Sequence, residues 1–262
     1  MDLKDKVIVV TGGASGIGKA MAQKFHQEGA KHIVVADLDD SGAQTVAKSV
    51  SGWGTAIDVA SEEQIAQLIE TTEDRFGPID LFCSNAGIGI GKGLDEPVEV
   101  WQKIWEVNTL SHVFAAKYLI PRMKQRGGGY LLNTASAAGL LSQIGSVTYA
   151  VTKHAAVALA EWIAITHGRD GIRVSVLCPQ AVRTAMTSGG PGVAGVDGML
   201  EPEVVAQCVV DTLAEESFLV LPHPEVGEYI KRKANDYDRW LRGMMRLQDA
   251  YIDADENPVP GG

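Results

Sequence analysis

One stretch, Thr11-Gly12-Gly13-Ala14-Ser15-Gly16-Ile17-Gly18, constrains this chain more than any other. It follows the apolar run Val7–Val10 and precedes a helical pattern from Lys19 to Glu28, closed by Gly29. Strand, glycine turn and helix form the context in which a glycine motif carries meaning. Glycines let the backbone turn tightly and approach a pyrophosphate, and a helix N-terminus offers free N–H groups to that anion. The spacing is Gly-x-x-x-Gly-x-Gly, and alone it also suits an ordinary strand–helix connection. Asp37 adds weight. It ends the next apolar run, Ile33–Ala36, about 20 residues past the last glycine, where a carboxylate takes the ribose hydroxyls of a dinucleotide.

The rest of the chain repeats this grammar. Apolar runs at Trp53–Ile57, Ile79–Cys83, Tyr130–Asn133 and Ile172–Leu177 alternate with helical patterns. The helices are expected over about 40–50, from Ser61 to Phe76, from about Pro97 to Arg126 and from about Ser146 to Gly168. That alternation predicts an α/β fold, a doubly wound parallel sheet with helices on both faces. The 262 residues, 45% of them hydrophobic, suit one such domain, with a core over about 6–221. Ser188–Gly198 is glycine-rich and marks a loop, taken as a mobile segment over about 185–200. Val226, Ile230, Tyr237, Leu241 and Met244 have helical spacing, so a helical extension is expected over 225–248. Its basic face (Lys231, Arg232, Lys233, Arg239, Arg242, Arg246) is read as solvated, with a lid or a subunit contact as the alternative. Residues 253–262 form an acidic Pro/Gly tail.

Acids outnumber bases 33 to 23, for a net charge of −10, and no basic cluster favours nucleic acid. No apolar run is long enough for a signal peptide or a membrane span, so a cytoplasmic location is expected. Cys83, Cys178 and Cys208 read as small buried hydrophobes. The histidines show no ligand spacing, and no metal is expected.

Ligands on such sheets sit beyond the carboxyl ends of the strands. The residues there are Thr11–Gly18, Asp37, Asp58, Asn85-Ala86-Gly87, Thr134–Ser136 and Pro179-Gln180. Tyr149 and Lys153 stand i, i+4 on one helix face. An ammonium near a phenol stabilises the phenolate and lowers its pKa, which makes a tyrosine usable as an acid and base.

Taken together, Thr11-Gly12-x-x-x-Gly16-x-Gly18, Asn85-Ala86-Gly87, Asn108, Ser136 and Tyr149-x-x-x-Lys153 resemble the short-chain dehydrogenase/reductase family over roughly Lys6 to Leu221. The resemblance implies a Rossmann-type sheet of about seven strands. It implies Tyr149 as general acid/base, Ser136 positioning the substrate oxygen, Lys153 on the nicotinamide ribose and Asn108 anchoring a water in a proton relay. It places Gly12, Ser15, Gly16, Ile17, Gly18, Asp37, Asp58, Val59, Asn85, Ala86, Gly87, Pro179, Val182 and Thr184 on the cofactor. The substrate is expected at Ser136, Gln143, Tyr149 and Gln180. Gln180 departs from the glycine the family usually has there. Apolar loop residues such as Ile88, Leu140, Ile144 and Met186 suggest a mostly apolar secondary alcohol or ketone.

Asp37 points to NAD as cofactor. A 2′-phosphate about 4 Å from that carboxylate would cost on the order of 4 kcal/mol at a protein surface, and Asp39 and Asp40 add to the repulsion. The reading is therefore an NAD-dependent alcohol dehydrogenase or ketone reductase, with a non-catalytic dinucleotide-binding sensor or scaffold as the alternative. The family also implies a homo-oligomer, a tetramer or else a dimer, through Trp101–Arg126 and Ser146–Gly168.

Overall fold

The computed structural model describes residues 1–256. Seven parallel strands form one sheet: β1 (Val7–Thr11), β2 (His32–Asp37), β3 (Trp53–Ala56), β4 (Leu81–Ser84), β5 (Gly129–Thr134), β6 (Ile172–Leu177) and β7 (Leu219–Val220). Their order across the sheet is β3-β2-β1-β4-β5-β6-β7. The chain winds outward from β1 in one direction and then returns to β4 on its other side. That reversal opens a crevice between the ends of β1 and β4. In register, Val9 lies between Val34 and Phe82.

β1 is buried along its whole length, as its unbroken Val/Ile run requires of a strand covered on both faces. On one face α1 (Gly16–Gln27), α2 (Asp40–Ser49) and α7 (Pro202–Glu215) pack Met21, Phe25, Val46, Val209 and Leu213 against Ile8, Val10 and Leu132. On the other, α3 (Glu62–Phe76), α5 (Ser111–Gln125) and α6 (Val147–His167) bring Ile65, Ile69, Leu119, Met123, Ala156 and Ile163 onto Val9, Phe82 and Leu131. Ser61 caps α3 by accepting from Gln64 N, and Gly77, at φ 89°, ends it. No helix among the described residues is long and apolar enough to cross a membrane.

Three expectations change in detail. The long helical region from Pro97 to Arg126 is interrupted: α4 (Val98–Trp105) passes into α5 through a π-helical turn, Glu106–Leu110. The extension expected over 225–248 is two helices, α8 (Glu225–Asn235) and α9 (Tyr237–Glu256). Asp236 separates them. It is extended, with φ −153°, and its Oδ1 accepts from Arg239 N, so it caps a new helix. Nor is this extension only a solvated surface. Val226 is fully buried and packs with Ala137, Leu141 and Trp240 in a small third core. Within the expected tail of 253–262, Glu256 still closes α9, and 257–262 lie outside the described residues.

Candidate functional site

The glycine turn is held where the crevice opens. Gly12 has φ +64°, and a Cβ there would stand 2.8 Å from Ala86 Cα. A Cβ on Gly18 would stand 2.1 Å from Gly12 O, so only glycine lets the first turn of α1 close on the loop. Ser15, the N-cap of α1, makes no side-chain cap, which leaves the free N–H groups of that helix turned to the crevice. Thr11 and Asn85 bind the neighbouring strands together there. Thr11 Oγ1 accepts from Asn85 N (3.0 Å) and Ala86 N (3.2 Å). Asn85 Nδ2 donates to Thr11 O (3.0 Å), and Asn85 Oδ1 accepts from Thr134 Oγ1 (3.1 Å).

Asp37 ends β2. Its Oδ2 accepts from Ala14 N and its Oδ1 from Asp39 N, each at 3.0 Å. The cap of α2 is Asp39, which accepts from Gly42 N, so capping is not what Asp37 does. Asp58 follows β3; its Oδ1 accepts from Ala60 N and its Oδ2 lies 3.7 Å from Lys103 Nζ.

Thr134, Ser136, Tyr149 and Lys153 form the floor. Ser136 Oγ donates to Pro179 O (3.3 Å) and accepts from Ala138 N (3.1 Å). Lys153 is buried, donates to Thr134 O at 2.9 Å, and stands 5.6 Å from the centre of the Tyr149 ring. Burial lowers the Lys153 pKa to about 8. Burial also raises that of Tyr149, with the Ser136 hydroxyl pulling the other way. The sequence argument has the lysine lowering the phenol; here desolvation dominates and the Ser136 hydroxyl, not Lys153, opposes it. Burial likewise pushes the Cys178 thiol up to about 12 and raises Cys83, as expected of inert cysteines.

One cavity of about 400 Å³ is lined by Gly12, Ser15, Gly16, Ile17, Gly18, Asp37, Asp58, Val59, Asn85, Ala86, Gly87, Ser136, Tyr149, Lys153, Pro179, Gln180, Val182 and Thr184. Of the expected site residues, Asn108 and Gln143 lie outside it. Asn108 is fully buried in the π turn. Its Oδ1 accepts from Ile88 N at 2.8 Å and its Nδ2 donates to Ile88 O at 2.9 Å, which fixes the chain after β4. Gln143 lines a second cavity of about 800 Å³, which shares Ser136 and Gln180 with the first. α8 and α9 cover it through Tyr229, Arg232, Arg239, Trp240, Met244 and Leu247. Sequence reasoning missed Lys103 in the first cavity; it named Thr134 only as a strand-end residue, and it held a cover over the site only as the alternative for the helices of the second. The helical spacing of Val226–Leu247 was the available signal, but not where that face docks.

Gln180 adopts no positive φ, so its backbone needs no glycine. Its N–H donates to His223 Nδ1 (3.2 Å), while its side-chain Oε1 is buried without a partner. The loop that follows is tied at its base by the Val182–Leu200 bridge and holds two short 3₁₀ turns.

The cradle suits a nicotinamide dinucleotide. The glycine positions would be filled by any Cβ, the N-terminus of α1 faces the cavity, and Asp37 lies beside it.

Comparison with known proteins agrees. The sequence model of the family described as short chain dehydrogenase matches residues 6–190. The chain is 34% identical to a 1-deoxy-11-beta-hydroxypentalenate dehydrogenase of Streptomyces exfoliatus over 90% of each chain. It is 33% identical to a meso-2,3-butanediol dehydrogenase of Serratia marcescens over 73% of this chain and 77% of that one. A short chain dehydrogenase/reductase of Burkholderia phymatum, solved in complex with NAD, superposes with a TM-score of 0.82 at 26% identity, covering 91% of this chain and 96% of that one.

Proposed function

The chain belongs to the short-chain dehydrogenase family, oxidoreductases that bind a nicotinamide dinucleotide, and from that premise we propose that it is an NAD-dependent dehydrogenase or reductase of secondary alcohols and ketones. The observation that carries this reading is the convergence of Ser136, Tyr149 and Lys153 on the cavity that also holds the glycine turn and Asp37. Bound there, the dinucleotide supplies or accepts the hydride.

The chain's own residues move the proton. Tyr149 is the general acid and base, giving a proton to the carbonyl oxygen or taking one from the alcohol. Ser136 positions that oxygen. Because burial raises the Tyr149 pKa, the phenolate needs a cation on its own helix face, and Lys153 is that cation. Lys153 also holds the nicotinamide ribose, and hydrogen bonds to its ammonium favour the charge that burial opposes. Asn108 anchors a water in the relay that returns the proton to solvent. Its π turn supports this, since such turns leave the regular ladder and recur at functional sites.

Asp37 selects NAD. A carboxylate has about four lone-pair sites, and the two backbone N–H groups on Asp37 occupy one on each oxygen. The rest serve the adenosine ribose hydroxyls, whereas a 2′-phosphate would meet the charge. Lys19, exposed in α1, does not line the cavity and offers no compensation.

The test is absorbance at 340 nm with the purified chain, NAD or NADP, and a panel of secondary alcohols and ketones. Turnover with NAD and much weaker turnover with NADP is expected. Failure of every alcohol and ketone with both dinucleotides, while the dinucleotide still binds, would instead mark a non-catalytic binding protein.

The chain also works as a homo-oligomer, a tetramer or else a dimer, in this reading. Val113, Ile120, Leu159 and Trp162 of α5 and α6 line a shallow apolar hollow, and Trp162 is 57% exposed. A monomer mass by sedimentation at micromolar protein would contradict it.

A further inference from the structure

The cavity under α8 and α9 has a mixed lining. Leu141, Ile144, Val193 and Met244 make it apolar, yet Arg232, Arg239 and Arg246 line it too. Arg239 and Arg246 fall at i and i+7 of α9, on one face with Gly243 between them. Arg232 joins them from α8.

Of the ten arginines, Arg122, Arg126, Arg173 and Arg183 each stand within 4.0 Å of a carboxylate. Among the described residues, Arg232, Arg239 and Arg246 have no such partner; Arg75, Arg169 and Arg242 also lack one, but they stand apart from this cavity. Arg232 rests over the Tyr229 ring at 5.7 Å. Asp236 is the one acid in the cavity lining, and its Oδ1 already accepts from Arg239 N. A chain of net charge −10 thus gathers three solvent-exposed guanidinium groups without a carboxylate partner at the rim of one cavity, whose lining also includes Ser136 and Gln180. Guanidinium forks match carboxylates in a bidentate way.

We propose that the substrate of this enzyme is an acid: a secondary alcohol or ketone at one end, a carboxylate on Arg232, Arg239 and Arg246 at the other, and an apolar body between. This rests on the dehydrogenase reading for the reacting end. The acid end rests on the arginines alone.

The test uses the full chain with NAD and the series from 7-hydroxyoctanoate to 11-hydroxydodecanoate, each against its primary amide. The series spans a range of distances between carbinol and carboxylate. At the best-fitting length the acid is expected to exceed its amide in kcat/KM by about tenfold or more, mostly through KM, and added salt should shrink the ratio. The triple variant R232Q/R239Q/R246Q should bring the ratio toward one, and lysine at the same positions should restore part of it. Arg242→Gln, on α9 but outside the cavity lining, should leave the ratio unchanged. Equal turnover of acid and amide overturns the acid proposal and leaves the dehydrogenase reading intact. If neither is oxidised, binding decides, followed by quenching of tryptophan fluorescence with Trp240 in the cavity wall. Tighter binding of the acid, lost in the triple variant, then sustains the proposal while the dehydrogenase reading fails for these alcohols. Equal binding, or none, overturns it.

Discussion

Around Thr11 and Asp37 the cleft is made of strand ends. Thr11, Asp37, Ser84 and Thr134 each close a hydrogen-bonded strand, and Asn85 links the ends of β1 and β5 across β4. Around Gln180 it is made of loops and of α8 and α9, which pack on Ala137 and Leu141 rather than pairing with any strand. The first region is fixed by the same main-chain ladder that holds the core together. The second is attached to that core by a few side chains. A site built this way can keep its grip on a constant ligand while the other end changes to suit a different one. Ser136 and Gln180 stand where the two regions meet, with Tyr149 beside them in the first.

The comparison breaks most visibly beside that meeting point. Tyr149→Phe keeps the ring and removes the hydroxyl. It is expected to lower kcat about 10²- to 10⁴-fold with dinucleotide affinity retained, as measured by NADH fluorescence. Turnover within a factor of a few of the parent would remove the tyrosine from its assigned role.

Next in size is Asp37→Ala. It should lower the preference for NAD over NADP about tenfold or more, since the repulsion on the 2′-phosphate disappears, with little change in KM for the alcohol. A change confined to the alcohol would place Asp37 in the wrong region.

Gln180→Ala is the mirror experiment. Its side chain borders both cavities and its Oε1 is buried without a partner. An alcohol KM raised severalfold, the size of one hydrogen bond, with KM for NAD unchanged, is the expected split. An equal rise in both would dissolve the boundary drawn here.

The smallest effect concerns the layer beneath both regions. His112 on α5 is buried with neither ring nitrogen bonded, and burial, then the charge of Lys153, holds its pKa down to about 3. The unfolded chain titrates near the ordinary value of 6.5 and therefore binds more protons between about 3 and 6.5. Stability is greatest above 6.5 and falls as pH drops through that window. His112→Leu should flatten the change in urea midpoint between pH 7 and pH 5; an unchanged slope would assign it to other groups.

The sheet and the dinucleotide end were legible because they depend on short-range signals. Val7–Val10 before Gly12, Ile33–Ala36 before Asp37, and Tyr149 four residues before Lys153 each carry their meaning within a few positions. The end under α8 and α9 was not legible in that way. Nothing local to Val226–Leu247 says that Trp240 and Met244 close a cavity over Ser136, about a hundred residues earlier in the chain; that follows only once β5 has delivered Ala137 and Leu141 to meet Val226. The break at Asp236 was readable as a cap signal, yet the apolar spacing on either side ran through it. The π turn at Asn108 has no pattern that separates it from the helices it joins, and the environment of Tyr149 depends on burial, which sequence spacing does not report.

The hydrogen bonds of Asn85 also bear on the order in which this protein assembles. Asn85 reaches back to Thr11 and forward to Thr134, so the seat for the dinucleotide is closed by contacts 74 and 49 residues apart in the chain. Such distant pairings form late and slow the folding of parallel sheets. During synthesis, a growing chain that has passed Asp37 already carries every glycine of the motif and its acidic partner, and still lacks the strands against which Asn85 can anchor the turn. Affinity for the dinucleotide therefore cannot precede β5. It grows further as Lys153 and Thr184 join the cavity wall, and the ligand stabilises only chains that have reached that stage.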